Sequence, residues 1–257
     1  MPANKGLVVA GDDGSPASDA VWGWLTAQPW HGWSVEVMTA DEHDIKWGQA
    51  PQVVEWSPPW ERKGTLIGAA DVKYLKVGSD PRAMLGERND ADLLVVGRPS
   101  ATHEHLPAIG STADWLLHHP PAPLALIGAT GRVESVVACV DGSLHSQMAV
   151  EVFSKLPLAR GTEVTALAVD DGRTDTAAAL TMATESLEGQ VSSVTGLTVA
   201  GSPTETILRH LAETSPDLVV MGTKGLTGWH RLVLGSTAGA VARTPGRNLL
   251  ACSVESR

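Results

Sequence analysis

The chain has 257 residues, 43% of them hydrophobic, with a formal net charge of −10. That apolar content suits a core of one large or two ordinary domains, and the acidic balance argues against a nucleic-acid or anionic-membrane surface, which would reward a basic face. Two cysteines, Cys139 and Cys252, lie in apolar runs without metal or CxxC spacing and read as buried thiols of a protein in a reducing cytoplasm.

The opening, MPANKGLVVAGDDGS, holds one short apolar run that soon meets acids, so it makes neither a signal peptide nor a membrane anchor. No run approaches the roughly eighteen apolar residues of a membrane helix. Residues 7–25, LVVAGDDGSPASDAVWGWL, read as strand, Asp-Gly-Ser turn and helix. Residues 43–64 then break helical periodicity with Pro51, Pro58 and Pro59 and bring Trp47, Trp56 and Trp60. Eight of the nine tryptophans precede residue 120, so aromatic surface is concentrated in this half. They either replace scarce Phe and Tyr in a core or build an interface, and sequence leaves both readings open. Residues 80–97 give helix and strand, RPSATHEHLPAI is a loop, GSTADWL opens a helix at Gly110, and 124–127 is a closing strand. His103, His105, His118 and His119 lack ligands at recognisable spacing and read as solvated histidines, so no metal site is expected.

From residue 136 the pattern repeats. VVACVDGSLHSQMAVEVF at 136–153 matches residues 7–25, PTETILRHLAETSPDLVVMG at 203–222 matches 80–97, and GSTAGAV at Gly235 matches GSTADWL at Gly110. In this second copy strands are predicted at 136–140, 164–169, 193–199, 218–221 and 249–254. Helices follow Ser143 and cover 176–187, 204–213 and 237–243. Strands separated by helices imply parallel pairing. The expected fold class is therefore α/β: two repeated doubly wound, mainly parallel five-stranded sheets with helices on both faces. The copies span 1–130 and 131–257, joined near 130–134. Such sheets bind ligands beyond the carboxyl ends of their strands, where strand order reverses. Asp141, ending the first strand of copy two, and the loop after its fourth strand map to that crevice.

The loop itself runs Gly222, Gly225, then nine residues to Gly235-Ser236-Thr237. Glycines at these places let backbone turn tightly and approach an anion, while Ser236 and Thr237 can cap the next helix and bond a phosphate oxygen. No Gly-Lys-Ser/Thr triplet closes it, so it is not a P-loop, and two glycines do not make the dinucleotide fingerprint. The spacing G-x2-G-x9-G-[S/T] after an apolar strand resembles the ATP-binding signature of the universal stress protein family, and with the repeat the chain resembles a tandem member of it, with an adenine nucleotide α-hydrolase-like fold.

The resemblance implies an ATP-binding protein, with Mg2+, that acts in stress or dormancy responses without catalysis. It implies that Cys139, Val140 and Asp141 meet the adenosine with Val169 over the base, and that Met221, Gly222, Gly225, Gly235, Ser236 and Thr237 wrap ribose and phosphates. Asp141 also reads as a turn and helix-cap residue. Lys224, His230 and Arg231 rank below the glycines as phosphate contacts, and Trp229 as a shield. Copy one departs from the pattern: Ser100 replaces the second glycine, Pro99 and Pro107 remove donors, Glu104 repels phosphate, and Gly11-Asp12-Asp13 adds an acid, so weak or absent ATP binding is expected there. Family members pair through the last strand, which implies pairing of the two copies and leaves a homodimer open. The competing readings are a slow ATP hydrolase in the same crevice and a nucleotide-free scaffold working through the Trp-rich half.

Overall fold

The computed structural model describes residues 5–45, 50–60, 62, 64–98, 109–173, 175–225 and 234–254. The N-terminal half runs β1 (Leu7–Gly11), α1 (Pro16–Ala27), β2 (Ser34–Ala40), β3 (Val53–Glu55), β4 (Asp71–Val77), α2 (Pro81–Gly86), β5 (Leu93–Gly97), α3 (Ser111–His118) and β6 (Leu124–Ile127). The C-terminal half runs β7 (Ser135–Cys139), α4 (Leu144–Lys155), β8 (Glu163–Asp170), α5 (Thr176–Leu187), β9 (Ser193–Ala200), α6 (Pro203–Thr214), β10 (Leu218–Gly222), α7 (Ser236–Ala242) and β11 (Leu249–Cys252). The α/β class is as expected, and the helix over 176–187 matches residue for residue. The two five-stranded sheets are corrected to one sheet of 11 strands in the order β3-β4-β2-β1-β5-β6-β11-β10-β7-β8-β9.

The merger has a physical cause. β6 reads LALI and β11 reads LLAC, every residue of both buried. Strands so apolar, left as edges, would present unpaired N–H and C=O groups beside greasy side chains. They pair instead, antiparallel, with Leu249 opposite Leu126 and Ala251 opposite Leu124. The other strand pairs are parallel except β3 with β4. The exposed outer strands are β3, with Val53 and Val54 in solvent, and β9.

Helices cover both faces. On one face, Trp22 and Leu25 of α1, Phe153 of α4 and Leu187 of α5 share a buried layer. On the other, Leu85 of α2, Leu116 of α3, Ile207 of α6 and Val241 of α7 share the second. Each layer draws on both halves of the chain.

The connection between β6 and β7 is pinned by buried amides. Gln28 donates to the Trp24 and Gly131 carbonyls at 3.1 and 2.8 Å and accepts from the Val133 N–H at 3.1 Å. Asn248 accepts from the Gly128 and Ala129 N–H groups and donates to the Asp217 carbonyl at 3.0 Å. Arg98, 1% exposed, reaches across this seam from the end of β5 to donate to the Ala242 carbonyl of α7 at 2.8 Å, while its Nε and Nη2 have no acceptor. Burial, with the nearby charge of Arg247, lowers its pKa to about 10.

The core reading of the tryptophans holds for Trp22, Trp24, Trp30 and Trp33, which are buried, with Trp24 and Trp30 in an edge contact of 5.9 Å. Trp56 and Trp60 are half-buried and meet edge to face at 5.7 Å. Trp47 and Trp229 lie outside the described residues. His118 and His119 bond carbonyls of their own helix, and His103 and His105 lie outside the described residues. Among the described residues no group of three His, Cys, Asp or Glu is placed to hold a metal, and no helix is long and apolar enough to cross a membrane.

Candidate functional site

Within the C-terminal half the strand order is β9-β8-β7-β10-β11, so chain direction across the sheet reverses between β7 and β10. A cavity of about 600 Å³ opens there, beyond the carboxyl ends of β7, β8 and β10 on the α6 and α7 face. All ten residues singled out from sequence line it: Cys139, Val140, Asp141, Val169, Met221, Gly222, Gly225, Gly235, Ser236 and Thr237.

The floor is apolar because inward-facing residues of adjacent strands end together. Cys139, Leu167, Val169 and Met221 are all buried there. Burial, with the charge of Asp141 adding, pushes the Cys139 thiol up to about 12, so it stays protonated and packs as a small apolar group. Burial also raises the Cys252 thiol. Asp141 Oδ1 accepts from the Ser143 N–H at 3.0 Å, and the Ser143 hydroxyl accepts from the Ser146 N–H at 3.2 Å, which starts α4. The turn role of Asp141 is thus present, with the carboxylate at the cavity, while the helix cap is corrected to Ser143.

The glycines act by leaving room, which corrects the tight-turn expectation: none of the three loop glycines has a positive φ. A Cβ on Gly222 would lie 2.7 Å from the His145 carbonyl carbon and 2.8 Å from the Ser146 N, so only glycine lets the end of β10 abut the first turn of α4. On Gly225 it would lie 2.8 Å from Asp141 Oδ2. The Gly235 N–H donates to the Thr223 carbonyl at 2.8 Å, closing the described ends of the loop.

Capping by Ser236 and Thr237 is also corrected. Gly235 is the N-cap of α7 and makes no side-chain cap, Ser236 is its first residue, and the Thr237 hydroxyl shares a 2.8 Å hydrogen bond with that of Thr204. The first-turn N–H groups of α7 therefore carry no side-chain cap at the cavity. His230 and Arg231 lie outside the described residues; Lys224 lines the cavity.

Sequence reasoning missed the α6 contribution of Ser202, Pro203, Thr204 and Ile207, and the Asp171 and Arg173 pair after β8. The signal was available: α6 follows a strand of the same sheet, so its first turn lies at the same carboxyl edge.

Residue matching places Asp12 where copy two has Val140 and Asp13 where it has Asp141. The Asp12 side chain is 5% exposed and pairs with Arg62, whose Nε donates at 2.8 Å, while the Trp60 indole donates at 3.1 Å. Arg62 also meets Asp19 of α1. Burial opposes the charge on Asp12, but hydrogen bonds from Arg62, the Gly14 N–H and Trp60 outweigh it and hold the carboxyl below its usual range.

A doubly wound sheet with an apolar-floored cleft at its switch point and cationic groups in the described lining defines an α/β protein of the open-sheet class. Residues 173–250 match the model of the universal stress protein family. No curated protein matches the chain. Among solved structures, a universal stress protein from Archaeoglobus fulgidus DSM 4304 is 17% identical with a TM-score of 0.65, covering 97% of this chain and 98% of its own. A putative universal stress protein from Pseudomonas aeruginosa UCBPP-PA14 is 12% identical with a TM-score of 0.52, covering 98% and 94%. A protein of unknown function from Pseudomonas aeruginosa PAO1 is 13% identical with a TM-score of 0.55, covering 99% and 94%. At these identities the likeness is one of fold, and it extends over both halves.

Proposed function

We propose that the chain is a tandem universal stress protein, with units 1–130 and 131–257, whose C-terminal cleft binds an adenine nucleotide, ATP with Mg2+, and that it acts in stress responses through the bound state rather than by catalysis. The observation that carries this reading is the single cavity in which strand ends, loop glycines and α6 converge. Its volume is within the usual range for small-molecule sites, roughly 300–1,000 Å³. Its chemistry is graded: Leu167, Val169, Met221 and Ile207 suit the flat face of a base, while Ser236, Thr237, Lys224 and Arg173 suit ribose and phosphates. Asp141 and Asp171, the carboxylates of the lining, would accept from ribose hydroxyls or hold the hydrated Mg2+.

The competing reading, slow hydrolysis in the same crevice, would call on Asp141 or Asp171 to orient water, and Asp141 already accepts from the Ser143 N–H in the turn before α4.

Calorimetric titration of the chain with ATP and Mg2+, beside a Gly235→Val, Ser236→Ala variant, tests the reading. One site per chain, lost in the variant, is expected. Absence of heat from folded, nucleotide-free protein would overturn it in favour of a scaffold, and steady phosphate release abolished by Asp141→Asn would overturn the non-catalytic part.

A further inference from the structure

The N-terminal half has a cleft of its own. It measures about 540 Å³ and lies beyond the carboxyl ends of β1, β2 and β5, on the α2 and α3 face. It is the same pocket as the C-terminal one under the repeat: Met38 takes the place of Leu167, Leu85 that of Ile207, and Val96 that of Met221, all buried. The apolar floor has been kept and the room has been kept.

The charge has not. The two cations at the C-terminal cleft, Arg173 and Lys224, correspond in the repeat to Asp44 and Pro99, and among the described lining of the N-terminal cleft there is no lysine, arginine or histidine. The carboxylates have been kept: Asp13 and Glu42, both exposed, stand where the C-terminal cleft has Asp141 and Asp171, and Asp12 adds a third that Arg62 neutralises from the opposite face. Asp13 is held in place, its Oδ1 accepting from the Ser15 N–H at 3.0 Å and the Ser18 hydroxyl at 3.1 Å. Among the described residues of this cleft a polyphosphate meets two like charges and no unpaired cation. A ring of the same size that carries an amine meets an apolar floor and two acceptors.

We propose that the N-terminal cleft is a second ligand site with inverted charge preference, taking a nucleoside-sized ligand that carries no phosphate and bears a positive charge. The expected ring size follows from the adenine reading of the C-terminal cleft; the charge preference does not depend on it.

The test uses the full chain carrying Gly235→Val and Ser236→Ala, titrated with 5′-amino-5′-deoxyadenosine, adenosine and ATP. The amine is expected to bind at one site per chain and tighter than adenosine by on the order of tenfold, the scale of one charge-assisted contact, with no heat from ATP. Adding Asp13→Asn and Glu42→Gln, which keep shape and hydrogen-bond acceptors, should erase the preference for the amine and leave adenosine binding in place. Ala40→Phe, which fills the cleft, should abolish both. Equal binding of amine and adenosine, a preference that survives the two amide substitutions, or ATP binding as strong as that of the amine would each overturn the proposal. If wild-type chain gives no heat with ATP yet the amine still binds in dependence on Asp13 and Glu42, the adenine nucleotide reading fails and this one stands.

Discussion

In the C-terminal half, α5 crosses β8 and β9, and its Ala179, Ala183 and Leu187 seal the sheet beside Val140. In the N-terminal half the described residues between β2 and β4 form no α-helix, only a 3-10 turn at Glu42–Asp44 and the short β3, and the same face is closed by irregular chain carrying Trp56, Trp60 and Arg62. The residue at the Val140 position changes with the cover: Asp12 takes a guanidinium and an indole N–H where valine takes methyl groups. A helix needs an apolar stripe of its own, which the prolines of residues 51–59 prevent. A polar plug needs a buried counter-charge. The comparison shows how one strand order tolerates either solution, and that the polar one holds only while both partners are present.

The largest expected effect follows from that dependence. Arg62→Met leaves Asp12 buried without its partner, and removing one member of a buried pair costs about 3–5 kcal/mol. Urea unfolding of the variant should show the loss, whereas Val140→Ala in the other half should cost less, about 1–2 kcal/mol, for the methyls removed. The pH dependence follows by sign. Asp12 has a folded pKa below its unfolded value, so the pair contributes fully above the usual carboxylate pKa of about 4 and is lost as pH falls through the folded value. In the variant, protonation relieves the unpaired charge. The gap between wild type and Arg62→Met should therefore narrow steadily from pH 5 down to about pH 3; a constant gap would mean that Arg62 acts by packing alone.

Next in size are the glycines that end the fourth strand of each half. A Cβ on Gly97 would strike the Ala17 carbonyl oxygen of α1, as one on Gly222 would strike the first turn of α4. Alanine at either position should cost about 1–3 kcal/mol, the usual penalty for overfilling a packed contact. Equal losses in the two halves would mark these glycines as framework of the fold. A loss confined to Gly222→Ala would tie that glycine to the C-terminal cleft.

These two glycines were legible in the sequence, as were the repeat, the α/β class, Asp141 and the loop from Gly222 to Thr237, because each rests on local pattern plus one rule of α/β topology; Cys139, Val140, Val169 and Met221 followed only from the family resemblance. What was not legible depends on partners distant in the chain. LALI and LLAC announce burial but not that they bury each other. Arg98 after a glycine reads as a loop charge, yet it crosses the seam to α7. β3 is three exposed residues with no periodicity to detect, and it exists because β4 offers it an edge.

Arg98 offers a smaller effect of opposite sign. It brings a charge into the seam for one hydrogen bond, with two of its nitrogens unsatisfied. Arg98→Met keeps the bulk and removes the desolvated charge, and should raise stability by about 1 kcal/mol, read as an upward shift of the thermal midpoint. A lower midpoint would mean that the bond to the Ala242 carbonyl outweighs the desolvation of the charge.

The smallest effect separates the two clefts most finely. Gly110 and Gly235 both cap a helix, with φ of −72° and −60° and extended ψ, and neither supplies a side-chain acceptor to the first turn. Serine is at ease in that conformation and its hydroxyl accepts from the N–H two or three residues on. A Cβ on Gly110 meets nothing within 4 Å, but on Gly235 it lies 3.1 Å from the Thr223 carbonyl oxygen. Gly110→Ser should therefore stabilise the chain by about 0.5–1 kcal/mol, and Gly235→Ser should gain less, because the crowding offsets the cap. The same serine at Gly235 would also occupy an N–H of α7 that faces the C-terminal cleft. ATP affinity should fall for Gly235→Ser while remaining unchanged for Gly110→Ser, a difference in function at two positions whose sequences, GSTA and GSTA, are the same.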